Sequence, residues 1–203
     1  MENGHHDTII EYYQNIVESQ DRDFRNSNLR KLVVRQLQGG TFLDIGCGTG
    51  HMSFMAAKHG HEVMAIDIMP EMVEFTNRLF ARNELHIETR VLDAENLLEV
   101  GDRSFDNIVA LDVLEHIEND LDVLRNIHAL LSPQGTCILV VPTIKSLYGK
   151  RDEMMHHKRR YGKNEIIDKL EKTNFEIIDM RYWNIFGVIP YWLFEKVFQK
   201  SRC

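Results

Sequence analysis

Residues 41–50, TFLDIGCGTG, restrict the folds open to this chain more than any other stretch. Phe42, Leu43 and Ile45 make a short apolar run suited to a buried strand. The run breaks into glycines at alternate positions, Gly46, Gly48 and Gly50. Without a Cβ, glycine reaches positive φ and lets a ligand approach the backbone closely. A helical pattern then begins near Met52. Strand, glycine loop and helix together present backbone N–H groups to a polar or anionic ligand at a helix N-terminus. A dinucleotide fingerprint has the spacing Gly-x-Gly-x-x-Gly. Here His51 stands at the last glycine position of that pattern, so the spacing is Gly-x-Gly-x-Gly.

Three further apolar runs follow, each closed by an acidic residue. Residues 62–66 (EVMAI) end at Asp67, which lies 21 residues after Gly46, the length of one helix and one strand. An acid at the end of a second strand can accept ribose hydroxyls. Residues 91–95 (VLDAE) place Asp93 at the close of a third run. Residues 105–116 (FDNIVALDVLEH) form a fourth. Strands are expected at 41–45, 62–67, 86–92, 105–111 and 136–142, with helices at 51–59, 70–82, 119–131 and from Lys163 to Thr173. Pro70 suits the first turn of its helix, and Ser132-Pro133-Gln134-Gly135 reads as a turn. This alternation predicts an α/β, doubly wound, mostly parallel sheet with ligands at the C-terminal strand ends.

The segments from Thr41 to Thr143 resemble, in order and spacing, the motifs of the class I S-adenosylmethionine (SAM)-dependent methyltransferases. Within that family the chain resembles the ubiquinone-biosynthesis-like group (methyltransferase types 11 and 12). The resemblance implies SAM as cofactor, S-adenosylhomocysteine as product and a Rossmann-like fold. It implies that Asp44, Gly46, Cys47, Gly48 and Gly50 pass beneath the methionine part of SAM. Asp67 falls on the ribose-binding acid, and Ile68 and Met69 fall where apolar side chains flank the adenine. Asp93 and Ala94 fall beside the adenine amino group, and Leu111 and Asp112 beside the methionine amino group. Bland roles for Asp67 and Asp93 are a helix cap or a turn aspartate.

Methyl transfer from a sulfonium needs alignment of the nucleophile and, for a hydroxyl acceptor, removal of a proton. His116 follows the fourth run and has a suitable pKa. The string DVLEH resembles the E-x-L-E-H string of ubiquinone-type O-methyltransferases, which implies His116 as acceptor-site base; packing or capping is the alternative. Asp112, Glu115 and His116, completed by His156 or His157, also have the donor types of a divalent-metal site. Small-RNA 2′-O-methyltransferases show a similar E-x-x-E-H pattern. Asp112 stands where that pattern has its first Glu, and the charge is wrong for RNA, so no metal is assigned. Glu115 reads as a solvated loop carboxylate.

Residues 145–163 carry seven basic side chains against Asp152 and Glu153, a local reversal in a chain of net charge −7. The segment 152–166 resembles a variable-region motif of uncharacterised bacterial methyltransferases. This predicts a mobile substrate lid after the fifth strand, with His156, His157, Arg159, Arg160 and Tyr161 toward an anionic, small-molecule or lipid-like acceptor. The alternative is a solvated helix start whose arginines pair with Asp152 and Glu153.

Composition sets the remaining bounds. The 203 residues suit a single domain: a helical cap over 1–38, a SAM-binding core over 39–143, and a lid and C-terminal segment over 144–203. The negative charge argues against nucleic acid as partner. Nucleic-acid methylation and a non-catalytic SAM-binding interaction module are the competing classes. Cys47, Cys137 and Cys203 lack metal spacing and read as reduced thiols of a cytoplasmic protein. N-terminal helices are expected at 7–19 and 26–37. Residues 175–182 read as a strand, with no clear seventh strand beyond. Residues 183–198 are dense in aromatics, which predicts either core packing or peripheral contact with a membrane.

Overall fold

The structure, a computed structural model, describes residues 24–183. The chain divides into two compact units, Met1–Gln36 and Leu37–Cys203. In the first, the described element is α1 (Phe24–Val34). The expected helix at 7–19 and the aromatic stretch beyond Trp183 lie outside the described residues.

The second unit is built on five strands: β1 (Thr41–Ile45), β2 (Glu62–Asp67), β3 (Glu88–Val91), β4 (Phe105–Leu111) and β5 (Leu131–Val140). Their order is β3-β2-β1-β4-β5, and every pairing is parallel. The long helices between them are α2 (His51–Lys58), α3 (Pro70–Arg82) and α4 (Asp120–Leu130). The order reverses at β1, so β1 and β4 part at their C-terminal ends. That is the switch point where open α/β sheets bind ligands.

Alternation along β1 sorts the two faces. Leu43 and Ile45 are aligned with Met64 and Ile66 of β2 and with Ile108 and Ala110 of β4. They pack with Val123, Leu124 and Ile127 of α4 into the main core. On the other face Asp44 meets α2, where Ser53 donates to it. α3 buries Met72, Val73, Thr76 and Phe80 at helical spacing, with Pro70 in its first turn.

Gly50 shows why the loop needs glycine. It sits at φ 76, and a Cβ there would stand 2.5 Å from Thr76 Oγ1. Gly48 has φ 52, but a Cβ would meet nothing within 4 Å. Gly50→Ala is therefore expected to cost about 1–3 kcal/mol from backbone strain and overpacking together. Gly48→Ala carries the backbone strain alone. Thermal melts should rank Gly50→Ala below Gly48→Ala; the reverse order would contradict this packing.

Two expectations change. The turn at 132–135 lies within β5 as a bulge: Leu131 pairs with Phe105, Thr136 with Asn107, and Gln134 has φ 68. Residues 175–182 are not a strand. Phe175 leaves the sheet pattern to pack edge-on against His128 at 5.3 Å, and Ile178 is 83% exposed. Alternating character without a partner strand does not make a ladder. After β5 come a short 3₁₀ turn at Lys145–Leu147, α5 (Lys150–Met154) and α6 (Lys163–Lys172).

Candidate active site

The loop after β1 is tied to the end of β2 by one carboxylate. Asp67 is almost buried; its Oδ2 accepts from Gly48 N at 2.8 Å and its Oδ1 from Met69 N at 2.9 Å. Burial raises its pKa against those bonds. Each oxygen keeps a second acceptor site, as a ribose contact requires. Ile68, next in sequence, is 61% exposed, and Met69 is half-buried at the start of α3. Val91 at the end of β3 is likewise exposed. These apolar groups border the rim beside Asp67.

Asp44 is the charged group beneath the loop. It is 2% exposed, and burial pushes its carboxyl up to about 7, with Ser53 opposing the rise through a 2.5 Å hydrogen bond. Cys47 lies within sulfur hydrogen-bond reach of Thr76 Oγ1, and burial pushes its thiol up. Thr76 also donates to Gly48 O. Ser53 and Thr76 thus brace the loop from α2 and α3, a role their helical positions alone did not reveal. Asp93 caps the turn at Ala94–Val100 by accepting from Glu95 N, with Ala94 buried behind it.

The β4 end supplies the opposite wall. Leu111 closes the strand, and Asp112 turns the chain sharply at φ 54. Val113 packs against the loop so closely that a Cβ on Gly46 would stand 2.6 Å from its Cγ2. A 3₁₀ turn, Leu114–His116, follows. It leaves His116 exposed and Glu115 fully buried. Glu115 is therefore not a solvated loop carboxylate. Burial, with Asp112 adding to it, raises its carboxyl to about 8. Partial burial and the neighbouring His157 ring, edge-on at 4.8 Å, lower the pKa of His116.

The segment after β5 is stitched to this wall. Lys158 N donates to Glu115 O at 2.7 Å, and Tyr161 N to Pro142 O at 2.8 Å. Tyr161 is fully buried; its hydroxyl lies within donating reach of Asp120 Oδ2 at 2.8 Å and Leu114 O at 3.0 Å. That removes Tyr161 from the substrate contacts expected of it. Arg160 pairs with Asp152, and Arg159 with Glu118 and Asp120, so both guanidinium groups have internal partners. His156 is exposed, whereas His157 is buried with Nδ1 3.0 Å from Asp152 Oδ1. The HHKRRY string by itself specifies neither this pair nor the burial of Glu115.

A parallel sheet of this order, a glycine loop at its switch point and an acid at the end of β2 make the Rossmann-like frame of the class I SAM-dependent methyltransferase fold. Residues 43–139 match the family model described as a methyltransferase domain. Among curated relatives, the ubiquinone biosynthesis O-methyltransferase of Xanthomonas campestris pv. campestris (strain B100) is 35% identical over 103 residues. That match spans 51% of this chain and 43% of the relative. The fold is shared with a SAM-dependent methyltransferase from Clostridium acetobutylicum at a TM-score of 0.65 and 17% identity, covering 86% and 89% of the two chains. It is shared also with the N-methyltransferase NodS from Bradyrhizobium japonicum, solved with S-adenosyl-L-homocysteine, at 0.63 and 18%, covering 76% and 77%. Among the described residues no helix is long and apolar enough to cross a membrane.

Proposed function

We propose that this methyltransferase moves the SAM methyl group to a hydroxyl oxygen of a small-molecule or lipid-intermediate acceptor. The observation that carries the reading is the placement of His116. Its exposed imidazole stands on the turn whose Val113 packs against the glycine loop. An acceptor hydroxyl entering there lies between the methyl donor and an imidazole held neutral by its surroundings. The O-methyltransferase relatives support oxygen as the target atom. Net charge −7 fits a small acceptor better than a phosphate backbone. Cofactor contacts are assigned to Asp44, the 46–50 loop, Asp67 to Met69, Asp93, Ala94, Leu111 and Asp112.

The test is transfer of labelled methyl from SAM to a panel of phenols, catechols, hydroxy acids and lipid extracts. Products methylated at oxygen are expected. His116→Ala should lower kcat by tenfold or more with the SAM dissociation constant unchanged. Products methylated only at nitrogen, or an unaltered kcat in that variant, would overturn the oxygen reading.

A further inference from the structure

Among the described residues, the positions other than glycine that hold a positive φ are Glu84, Asp112, Gln134, Ile144, His156 and Asn174. Glu84, His156 and Asn174 each stand one residue past a helix C-cap, where a left-handed residue closes the last turn. Gln134 sits in the bulge of β5, and Asp112 is of the short polar type that tolerates this region. Ile144 has no such account. It is β-branched, has φ 61 and ψ 81, and follows a strand rather than a helix. For a residue of that shape the conformation is strained.

The strain is held from both sides. Thr143 forms an isolated parallel bridge with Tyr161, and Thr143 O accepts from Arg160 Nη1 at 3.3 Å. Tyr161 N donates to Pro142 O at 2.8 Å. On the far side Leu147 N donates to Ile144 O at 2.9 Å, and Leu147 is buried. Strained backbone persists only where neighbours over-determine it, and it gathers at ligand clamps. Glycine would hold this turn without strain. Full burial in the core would account for an isoleucine here, but Ile144 is 37% exposed.

Its position supplies a use for the side chain. Ile144 lies just past the C-terminal end of β5, beside the end of β4, where Asp112 N donates to Val140 O. Tyr161, which braces residues 142 and 143, also reaches Leu114 O on the turn that carries His116. The strained turn and the His116 turn are parts of one wall. We propose that Ile144 is a specificity-determining residue whose side chain meets the apolar part of the methyl acceptor while the acceptor hydroxyl lies toward His116. This rests on the reading that the acceptor enters beside His116. The backbone fixes where the chain turns, and the sec-butyl group selects among apolar groups. Ile144 makes no bond to the reacting atoms, so it acts on acceptor binding and not on the chemical step.

The test uses the full chain saturated with S-adenosyl-L-homocysteine, titrated calorimetrically with 4-alkylphenols from methyl to hexyl as probes. Full burial of one methylene strengthens binding about fourfold. In the wild type, affinity is expected to rise by about two- to fourfold per methylene. In Ile144→Gly the gain over the series should fall by about fivefold or more, with Ile144→Val close to the wild type and affinity for S-adenosylhomocysteine unchanged. A second measurement reads the strain. Alanine ordinarily stabilises a chain relative to glycine, but at positive φ the order inverts. Ile144→Gly should therefore melt above Ile144→Ala. A series without length dependence in the wild type, or with the same dependence in Ile144→Gly, overturns the proposal. So does Ile144→Ala melting above Ile144→Gly. The labelled-SAM assay reads the oxygen assignment separately. Transfer to oxygen together with an unaltered series in Ile144→Gly removes Ile144 and leaves that assignment standing. Methylation only at nitrogen removes the assignment, whatever the series shows.

Discussion

Replacing Asp67 with alanine is expected to weaken binding of S-adenosylhomocysteine by about 10²–10⁴-fold. The reasoning runs from the two carboxylate oxygens. Each accepts a backbone N–H in this structure, and each keeps an acceptor site toward the rim. Two hydrogen bonds from ribose hydroxyls to an ionised acid contribute about 1.5–3 kcal/mol each. Every 1.4 kcal/mol is tenfold in affinity. The same carboxylate holds Gly48 and Met69 in place, so its loss also loosens the loop. Calorimetric titration with the product gives the ratio directly. A change smaller than tenfold, in a variant that melts like the wild type, would remove Asp67 from the cofactor site.

A second large effect concerns pH. Asp44 ordinarily titrates near 3.8, and burial carries it to about 7 in the folded chain. The folded state therefore holds this proton where the unfolded state has released it. Stability from this group is complete below pH 3.8, falls as pH rises toward 7, and is flat above. At 1.36 kcal/mol per unit, the wild type should lose roughly 2–3 kcal/mol from this group between pH 5 and pH 8. Asp44→Asn keeps a partner for Ser53 and cannot ionise, so it should escape that loss. Urea unfolding of both proteins at the two pH values isolates the difference, since other groups titrate in both. Parallel losses would show that Asp44 does not titrate in this window. A bound sulfonium favours the ionised form, so SAM affinity should rise with pH in the wild type and stay level in the variant.

The core was legible because its signals are local. The runs at 41–45, 62–67 and 105–111 are short, apolar and closed by glycine or acid, and these ranges match β1, β2 and β4. Pro70 fixed the start of α3 from its own chemistry. Gly46, Gly48 and Gly50 announced a loop whose positive φ values the structure bears out. The acceptor side was less legible because its contacts are long-range. Glu115 looks solvated in DVLEH; it is buried, on a turn whose carbonyl accepts from Lys158 N, 43 residues on. His157 and His156 are indistinguishable as neighbours in sequence, but the φ of 58 at His156 turns one outward and the other toward Asp152. Residues 175–182 misled for the opposite reason: local alternation is present, and among the described residues no strand pairs with it.

Tyr161 carries a consequence for how such a protein changes over time. One buried phenol joins the turn after β4 to the start of α4, and its own backbone joins both to the end of β5. Lys169 and Arg159 add to the same carboxylate, Asp120. A wall tied at that depth does not accommodate a new acceptor by backbone displacement. It does so by exchange of the side chains it displays. In the segment after β5, Met154 and Met155 are exposed, at 81% and 47%, and Ile144 at 37%. Substitutions there can drift without disturbing the hydrogen bonds beneath. The scaffold thus separates side chains held by buried hydrogen bonds from exposed ones that are free to diversify without disturbing the fold.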